Sequence, residues 1–239
     1  MIILGLDTST RAASVALWSD GDLLGELVIN DKRTHSQKLM PMLETLFQLA
    51  NMKVDDVDLL AVCIGPGSFT GIRIAMATVK ALGHVRNLPI VGVNSLESLA
   101  YNLYNCQARL VPILDAQASQ VYSAIYENID GGPRLVRDIR VVDIDDLVEE
   151  VKDLDGRTIF LGEGLNKYKD KLRDLGPNIS LASSNTNVSR AASVCACALY
   201  KYTMRQDIHT CYDILPMYIR KSQAEVQYEE KQRAMKNDL

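Results

Sequence analysis

Histidine is scarce in this chain: three residues, His35, His84 and His209, among 239. No two stand at the spacing that puts a pair of imidazoles on one helical face, so spacing offers no histidine pair for a metal. Cysteine patterns are lacking too. Cys63, Cys106, Cys195, Cys197 and Cys211 form neither a C-x-x-C pair nor a small-domain disulfide framework, and reduced, mostly buried thiols are expected. No apolar run reaches the length of a membrane span, and the opening MIILGLDTS carries no charged region of a signal peptide. A cytoplasmic protein with no membrane partner is expected. An excess of basic charge is also missing, since 26 Lys and Arg face 30 Asp and Glu for a net charge of −4. Nothing in that balance pulls nucleic acid globally, because such affinity grows with the phosphates a basic patch neutralises.

What is present is an ordinary globular composition, 47% hydrophobic and 23% charged, arranged as an internal echo. Residues 2–29 read as a strand IILGLD, a strand SVALWS, a turn at Asp20 and Gly21, and a strand LLGELVI. An Asp-Gly pair between alternating apolar residues signals a hairpin. Residues 110–142 repeat that order as LVPILD, VYSAIYE, a turn around Asp130 to Pro133, and RLVRDIRVV. Helical and strand patterns follow each meander. The first half offers helix 36–51, strand 58–64, helix 71–87, strand 90–93 and helix 96–105. The second offers helix 143–154, strand 158–161, helix 165–175 and helix 188–205. Two such copies predict two α/β domains, 1–105 and 106–221, followed by a charged tail over 222–239.

The stretch from Cys63 to Gly83, CIGPGSFTGIRIAMATVKALG, carries the most local chemistry. An apolar strand runs into a glycine-rich turn that opens onto a helix, where unpaired amides and the helix dipole favour an anion. Gly65, Gly67 and Gly71 allow close approach of another group, and Ser68 and Thr70 are candidate N-caps. Ile72 and Arg73 stand where a P-loop has Lys and Ser or Thr, so ordinary nucleoside triphosphatase chemistry is disfavoured. The other reading is a tight strand-to-helix joint with nothing bound. Asp7 and Asp115, each ending a first strand, suit either a metal-nucleotide site in a cleft or a turn in which the carboxylate takes amides just ahead of it.

Two helices carry more apolar surface than one sheet face needs. On 36–51, Leu39, Met40, Met42, Leu43, Leu46, Phe47, Leu49 and Ala50 span an arc of about 180°, against the roughly 100° stripe of a surface helix. Helix 71–87 is apolar nearly all round, with Ile72, Ile74, Ala75, Met76, Ala77, Val79, Ala81, Leu82 and Val85. The pair is either a deep internal layer or a docking face, on which Leu39, Met40, Leu43, Leu46, Phe47, Ile72, Met76 and Val79 are the candidate partner contacts. Thr34 with Gln37 reads as a capping box, but Pro41 lies too deep for a first turn, so the helix bends there or starts near Lys38.

The segments DTST with SVAL, RTHSQKLMPML, GPGSFTGIRIA, PIVGVNSLESLA and PMYIR together resemble the TsaB family, accessory subunits of the bacterial assembly that makes threonylcarbamoyladenosine in tRNA. The resemblance covers nearly the whole chain in the family's order. It implies an α/β, duplicated ribonuclease H-like ASKHA fold, that of actin, Hsp70 and sugar kinases. It implies a heterodimer with the catalytic relative TsaD through the two apolar helices as a four-helix bundle, a homodimer when TsaD is absent, a third subunit TsaE with ATPase activity, and contact with tRNA only through the complex. TsaD carries a motif VNHxEGH whose two histidines hold a metal. Here the matching stretch is VNSLESL, with Ser95 and Leu99 at the histidine positions, so no catalytic metal is expected, and Asn94 with Glu97 resembles a capping box instead. Two further departures concern nucleotide. The second aspartate motif reads DAQASQVY, and FLGEGLNK places Glu163 between Gly162 and Gly164 where kinases of the fold have paired glycines. Asp7, Gly65, Gly67, Ser68, Thr70 and Gly71 remain the candidate anion or nucleotide contacts, with no catalytic residue, no metal ligand and no cofactor of the chain's own expected; ATP and a metal belong to the complex.

The reading is therefore a noncatalytic scaffold for TsaD, supporting threonylcarbamoyl transfer to the adenosine next to the tRNA anticodon. An ASKHA-type small-molecule kinase binding ATP between its domains is the alternative. A metallopeptidase is disfavoured by the missing histidine pair.

Overall fold

The computed structural model describes residues 1–129 and 132–220. The expected tail over 222–239, and residues 130 and 131 of the second hairpin turn, lie outside the described residues.

The chain opens with a three-stranded antiparallel meander, β1 (Ile2–Asp7), β2 (Ala13–Ser19) and β3 (Asp22–Ile29). Asp20 and Gly21 have φ of 49° and 97°, the two positive angles of a type I′ hairpin. Helix α1 (His35–Leu49) follows, then a 3-10 turn (Val54–Asp56), β4 (Leu59–Gly65), α2 (Phe69–Arg86) and β5 (Ile90–Asn94). After α3 (Ser95–Tyr101), the order is repeated by β6 (Arg109–Asp115), β7 (Gln120–Ile129), β8 (Gly132–Asp143), α4 (Ile144–Lys152), β9 (Thr158–Leu161), α5 (Leu165–Leu172) and β10 (Ile179–Leu181). Helix α6 (Ala191–Thr203) and a two-residue strand, β11 (Ile208–His209), close the described fold.

Two sheets result, with strand orders β11-β5-β4-β1-β2-β3 and β10-β9-β6-β7-β8. In each, a central strand pairs antiparallel with its meander neighbour and parallel with the strand returning from a helix. The first sheet is covered on both faces, so its central strands read as unbroken apolar runs. Leu4, Leu6, Leu60 and Val62 face α1 and α2, whereas Ile3, Leu59, Ala61 and Cys63 face α6. Helices α4 and α5 pack on one face of the second sheet.

The two halves exchange a helix. Leu96, Leu99 and Ala100 of α3, from the first half, pack against Leu110, Leu114, Tyr126 and Leu161 of the second sheet. Helix α6, from the second half, packs Val194, Cys195 and Ala198 against the first sheet, and β11 pairs antiparallel with β5. The boundaries 1–105 and 106–221 are thus crossed in both directions. Hydrophobic periodicity marks which face of a helix is apolar but not which sheet covers it.

All five cysteines are free; Cys63, Cys195 and Cys197 are buried, and Cys106 and Cys211 partly so. Helix α1 starts at His35 and continues through Pro41. Pro41 is exposed, so water can take the Gln37 carbonyl that a proline cannot serve. The Thr34 amide donates to Gln37 Oε1 at 3.2 Å, as the capping box requires.

Candidate functional site

The glycine turn is built by close backbone packing against the β1–β2 loop. Ser68 caps α2, its Oγ accepting the Gly71 amide at 3.2 Å, while its own amide donates to Ser9 O at 2.6 Å. Thr8 Oγ1 donates to Gly71 O at 2.7 Å. A Cβ on Gly71 would strike the Thr8 carbonyl, and one on Gly67 would strike that of Ser9. Gly65, at φ +109°, faces the Met217 carbonyl, 2.8 Å from where a Cβ would sit. Carbonyl oxygens of this same chain therefore occupy the space in front of all three glycines, so the missing Cβ at each serves close backbone packing. Ser68 and Thr70 are exposed beside the turn.

Asp7 is fully buried. Its Oδ1 accepts the Ser9 amide at 2.8 Å and Ser9 Oγ at 2.7 Å, the turn expected for this residue type. Oδ2 has no hydrogen-bond partner among the described residues, and burial raises the carboxyl above its ordinary range against the pull of Ser9. Asp115 is exposed and already engaged: it accepts Lys167 Nζ at 2.9 Å and the Gln117 amide at 3.3 Å. Between them stands Glu163, whose Oε2 accepts the Arg11 amide at 3.2 Å across the two halves. Burial raises Glu163, and the charges of Asp115 and Asp7 add to the shift. Among the described residues no group of three or more His, Cys, Asp or Glu is arranged to hold a metal. Within the chain Asp7 is thus engaged by Ser9, Asp115 by Lys167 and Glu163 by the Arg11 amide.

The VNSLESL stretch is structural throughout. Asn94 Oδ1 accepts the Leu96 and Glu97 amides at 2.8 and 3.3 Å, capping α3. Ser95 is buried and donates to the Pro66 carbonyl, and Leu99 lies in the core under the second sheet. The second half of the expected box is absent: Glu97 pairs with Lys201 Nζ of α6 at 2.9 Å.

The candidate partner contacts divide unevenly. Leu39, Leu43, Leu46, Phe47, Met76 and Val79 are each 9% exposed or less and belong to the core between α1, α2 and the first sheet, and Ile72 is buried at 1%. They are not surface residues in this chain, which corrects their reading as a docking face. Only Met40, at 59%, is exposed. The outward faces instead carry Met40, Glu44, Gln48 and Leu49 on α1 and Arg73, Ala77, Ala81, His84 and Val85 on α2, with Leu49 at 74% and Val85 at 80%.

Two features escaped the sequence reading. Lys38 is buried, with Nζ 3.3 Å from the Arg11 carbonyl and 3.5 Å from Asp31 Oδ1; with His35, which packs on Gly71, it ties the RTHSQK segment to the β1–β2 loop. The second is a strap over residues 210–220. Met217 donates its amide to Ile64 O at 2.8 Å and accepts Asn94 Nδ2 at its sulfur at 3.1 Å, while Ile214 enters the core. The PMYIR motif was the available signal for the strap, but nothing local says where it lands. A cavity of about 600 Å³, lined in part by Trp18, Leu23, Tyr101, Tyr104 and Tyr200, shares no residue with the glycine turn.

A family model described as TsaD, tRNA N6-adenosine threonylcarbamoyltransferase, matches residues 22–228. A curated Bacillus subtilis relative named tRNA threonylcarbamoyladenosine biosynthesis protein TsaB is 30% identical over 234 residues, covering 98% of this chain and all of that protein. The chain belongs to the TsaB family. An Escherichia coli TsaB is 31% identical over 179 residues, 74% of this chain and 77% of that protein. Among solved structures, YeaZ from Pseudomonas aeruginosa superposes with a TM-score of 0.77 at 28% identity, covering 91% of this chain and 99% of that one. An activator of 2-hydroxyisocaproyl-CoA dehydratase from Clostridium difficile shares the fold alone, at TM-score 0.53 and 11% identity over 86% of this chain and 97% of that one. The chain thus has the duplicated ASKHA architecture expected of it.

Proposed function

We propose that this chain is a noncatalytic scaffold subunit in tRNA threonylcarbamoyladenosine biosynthesis, docking a TsaD partner that carries the metal and the chemistry of threonylcarbamoyl transfer. The observation that carries the reading is the fate of Ser95 and Leu99, one hydrogen-bonded to Pro66 and the other in the core, where the catalytic relatives have their histidine pair. Docking uses the outward faces of α1 and α2, with Met40, Leu49, Ala77, Ala81 and Val85 as the apolar surface. TsaE joins the pair, ATP enters with the complex, and tRNA is held through the assembly. In the absence of TsaD the same faces pair two copies of this chain.

The test is copurification and reconstituted transfer with TsaD, using Leu49→Glu and Val85→Glu beside the unmodified chain. Expected are loss of association by folded variants and no transfer by this chain alone. A folded double variant that still copurifies fully would overturn the docking reading, and transfer by the isolated chain would overturn the noncatalytic one. The kinase reading predicts saturable heat with Mg-ATP in calorimetry of the isolated chain; under the scaffold reading none is expected, with Asp7 and Asp115 kept on Ser9 and Lys167.

A further inference from the structure

Arg73 opens the outward stripe of α2, and it is held in place rather than loosely solvated. Its Nε donates to Tyr218 Oη at 2.9 Å. Its guanidinium carbon lies 3.8 Å from the centre of the Phe69 ring and 5.8 Å from that of Tyr218, and the two ring centroids are 4.9 Å apart. Arg86, at the other end of the same helix, is neutralised by Asp55 at 2.7 Å. Arg73 makes no ion pair among the described residues, and its terminal nitrogens have no hydrogen-bond partner there.

Two aromatic surfaces and one hydrogen bond restrict the rotamers of a side chain that is otherwise costly to order. What remains available is the planar fork, which matches a carboxylate through two parallel hydrogen bonds. One and two turns further along the helix, exposed Ala77 and Ala81 leave room for another helix to approach closely. At the far end Tyr212 Oη meets His84 Nδ1 at 3.0 Å. The strap thus braces α2 at both ends, with buried Ile214 and the Met217–Ile64 hydrogen bond anchoring it between them.

We propose that Arg73, clamped by Phe69 and Tyr218, is the charged anchor of the docking face and takes a carboxylate presented by a helix of the partner protein. This rests on the docking reading above. A protein carboxylate is favoured over an RNA phosphate because exposed Ala77 and Ala81 follow Arg73 one and two turns on, Lys80 on that face is only partly exposed, and Arg86 is already paired with Asp55. Nucleic-acid affinity needs several cations acting together, and the chain carries −4 overall.

The test is titration of purified TsaD with the full chain and four variants whose folding is checked by melting. Arg73→Ala is expected to weaken binding about tenfold to a hundredfold, roughly 1.4–2.7 kcal/mol, and to flatten the salt dependence that the unmodified chain shows. Arg73→Lys restores little, since an ammonium lacks the planar fork. Tyr218→Phe keeps the ring and loses the hydrogen bond, with a loss of a few fold. Ala81→Glu blocks the stripe itself. Normal affinity in both Arg73 variants with loss in Ala81→Glu would remove the anchor and leave the docking face standing. Unchanged affinity in all four would remove the docking face and the anchor with it. Normal TsaD affinity in Arg73→Ala with weakened tRNA retention in filter binding would assign the cation to phosphate and overturn the proposal.

Discussion

Lys201 Nζ lies 2.9 Å from Glu97 Oε2, and this pair joins α6 to α3, the two helices that the halves of the chain exchange. Both side chains are largely buried, and Lys201 also meets Asp207 at 2.8 Å. Burial works to lower the lysine pKa, but Glu97 leads the interactions that raise it above its ordinary value. Glu97→Gln is expected to cost about 1–2 kcal/mol, because a largely buried cation loses the more buried of its two counter-charges. In a chain of this size that lowers the melting temperature by about 2–8 °C. Adding Lys201→Met should recover part of the loss in a double-mutant cycle; strictly additive losses would mean the two residues act separately.

Gly71 and Gly21 should respond differently to alanine. At Gly71 the new Cβ strikes the Thr8 carbonyl, so backbone must move, at a cost of about 1–3 kcal/mol. At Gly21 nothing lies within 4 Å, and only the positive φ of 97° is penalised, by about 1 kcal/mol. Urea unfolding of the two variants measures the difference, and equal losses would contradict the packing described for the glycine turn.

The buried Asp7 carboxyl sets a pH dependence with a definite sign. Its folded pKa is raised above the unfolded value of 3.8, chiefly by burial, so the native state holds the proton more tightly. Its contribution to stability is complete below that unfolded value and declines as pH rises through the folded one. Asp7→Asn keeps an oxygen for the two Ser9 hydrogen bonds and cannot ionise. The variant is expected to gain on the unmodified chain as pH rises from about 4 toward neutrality. A stability difference that is flat across that window would show that Asp7 ionises in the fold as freely as in the unfolded chain.

Leu46 and Leu49 stand one turn apart on α1 and face opposite surroundings. Leu46→Glu puts a carboxylate into the core and is expected to cost about 4 kcal/mol or more, enough to prevent folding. Leu49→Glu should stay within about 0.5 kcal/mol of the unmodified chain. Melting curves separate the two, and only the second variant is informative about partner binding.

Much of the architecture was legible locally. Asp20-Gly21 marked the first hairpin, and the repetition of IILGLD and its meander in LVPILD with VYSAIYE announced two sheets of the same design. The lack of any two histidines at helical spacing was equally plain. Less legible were β10 and β11, because three and two residues carry no measurable period. The destination of α6 was hidden for a different reason. Its apolar residues fit either sheet, and the choice depends on strands more than a hundred residues away.

By itself the sequence determined the duplicated strand order, the glycine turn before α2 and the lack of an imidazole pair, since each depends on neighbours along the chain. Only the tertiary structure decided that Leu39, Leu43, Leu46, Phe47, Ile72, Met76 and Val79 point inward, that Gly71 faces Thr8, and that Tyr218 reaches Arg73. A helical wheel gives the width of an apolar arc but not what covers it, because burial is settled by contacts between segments that become neighbours only on folding.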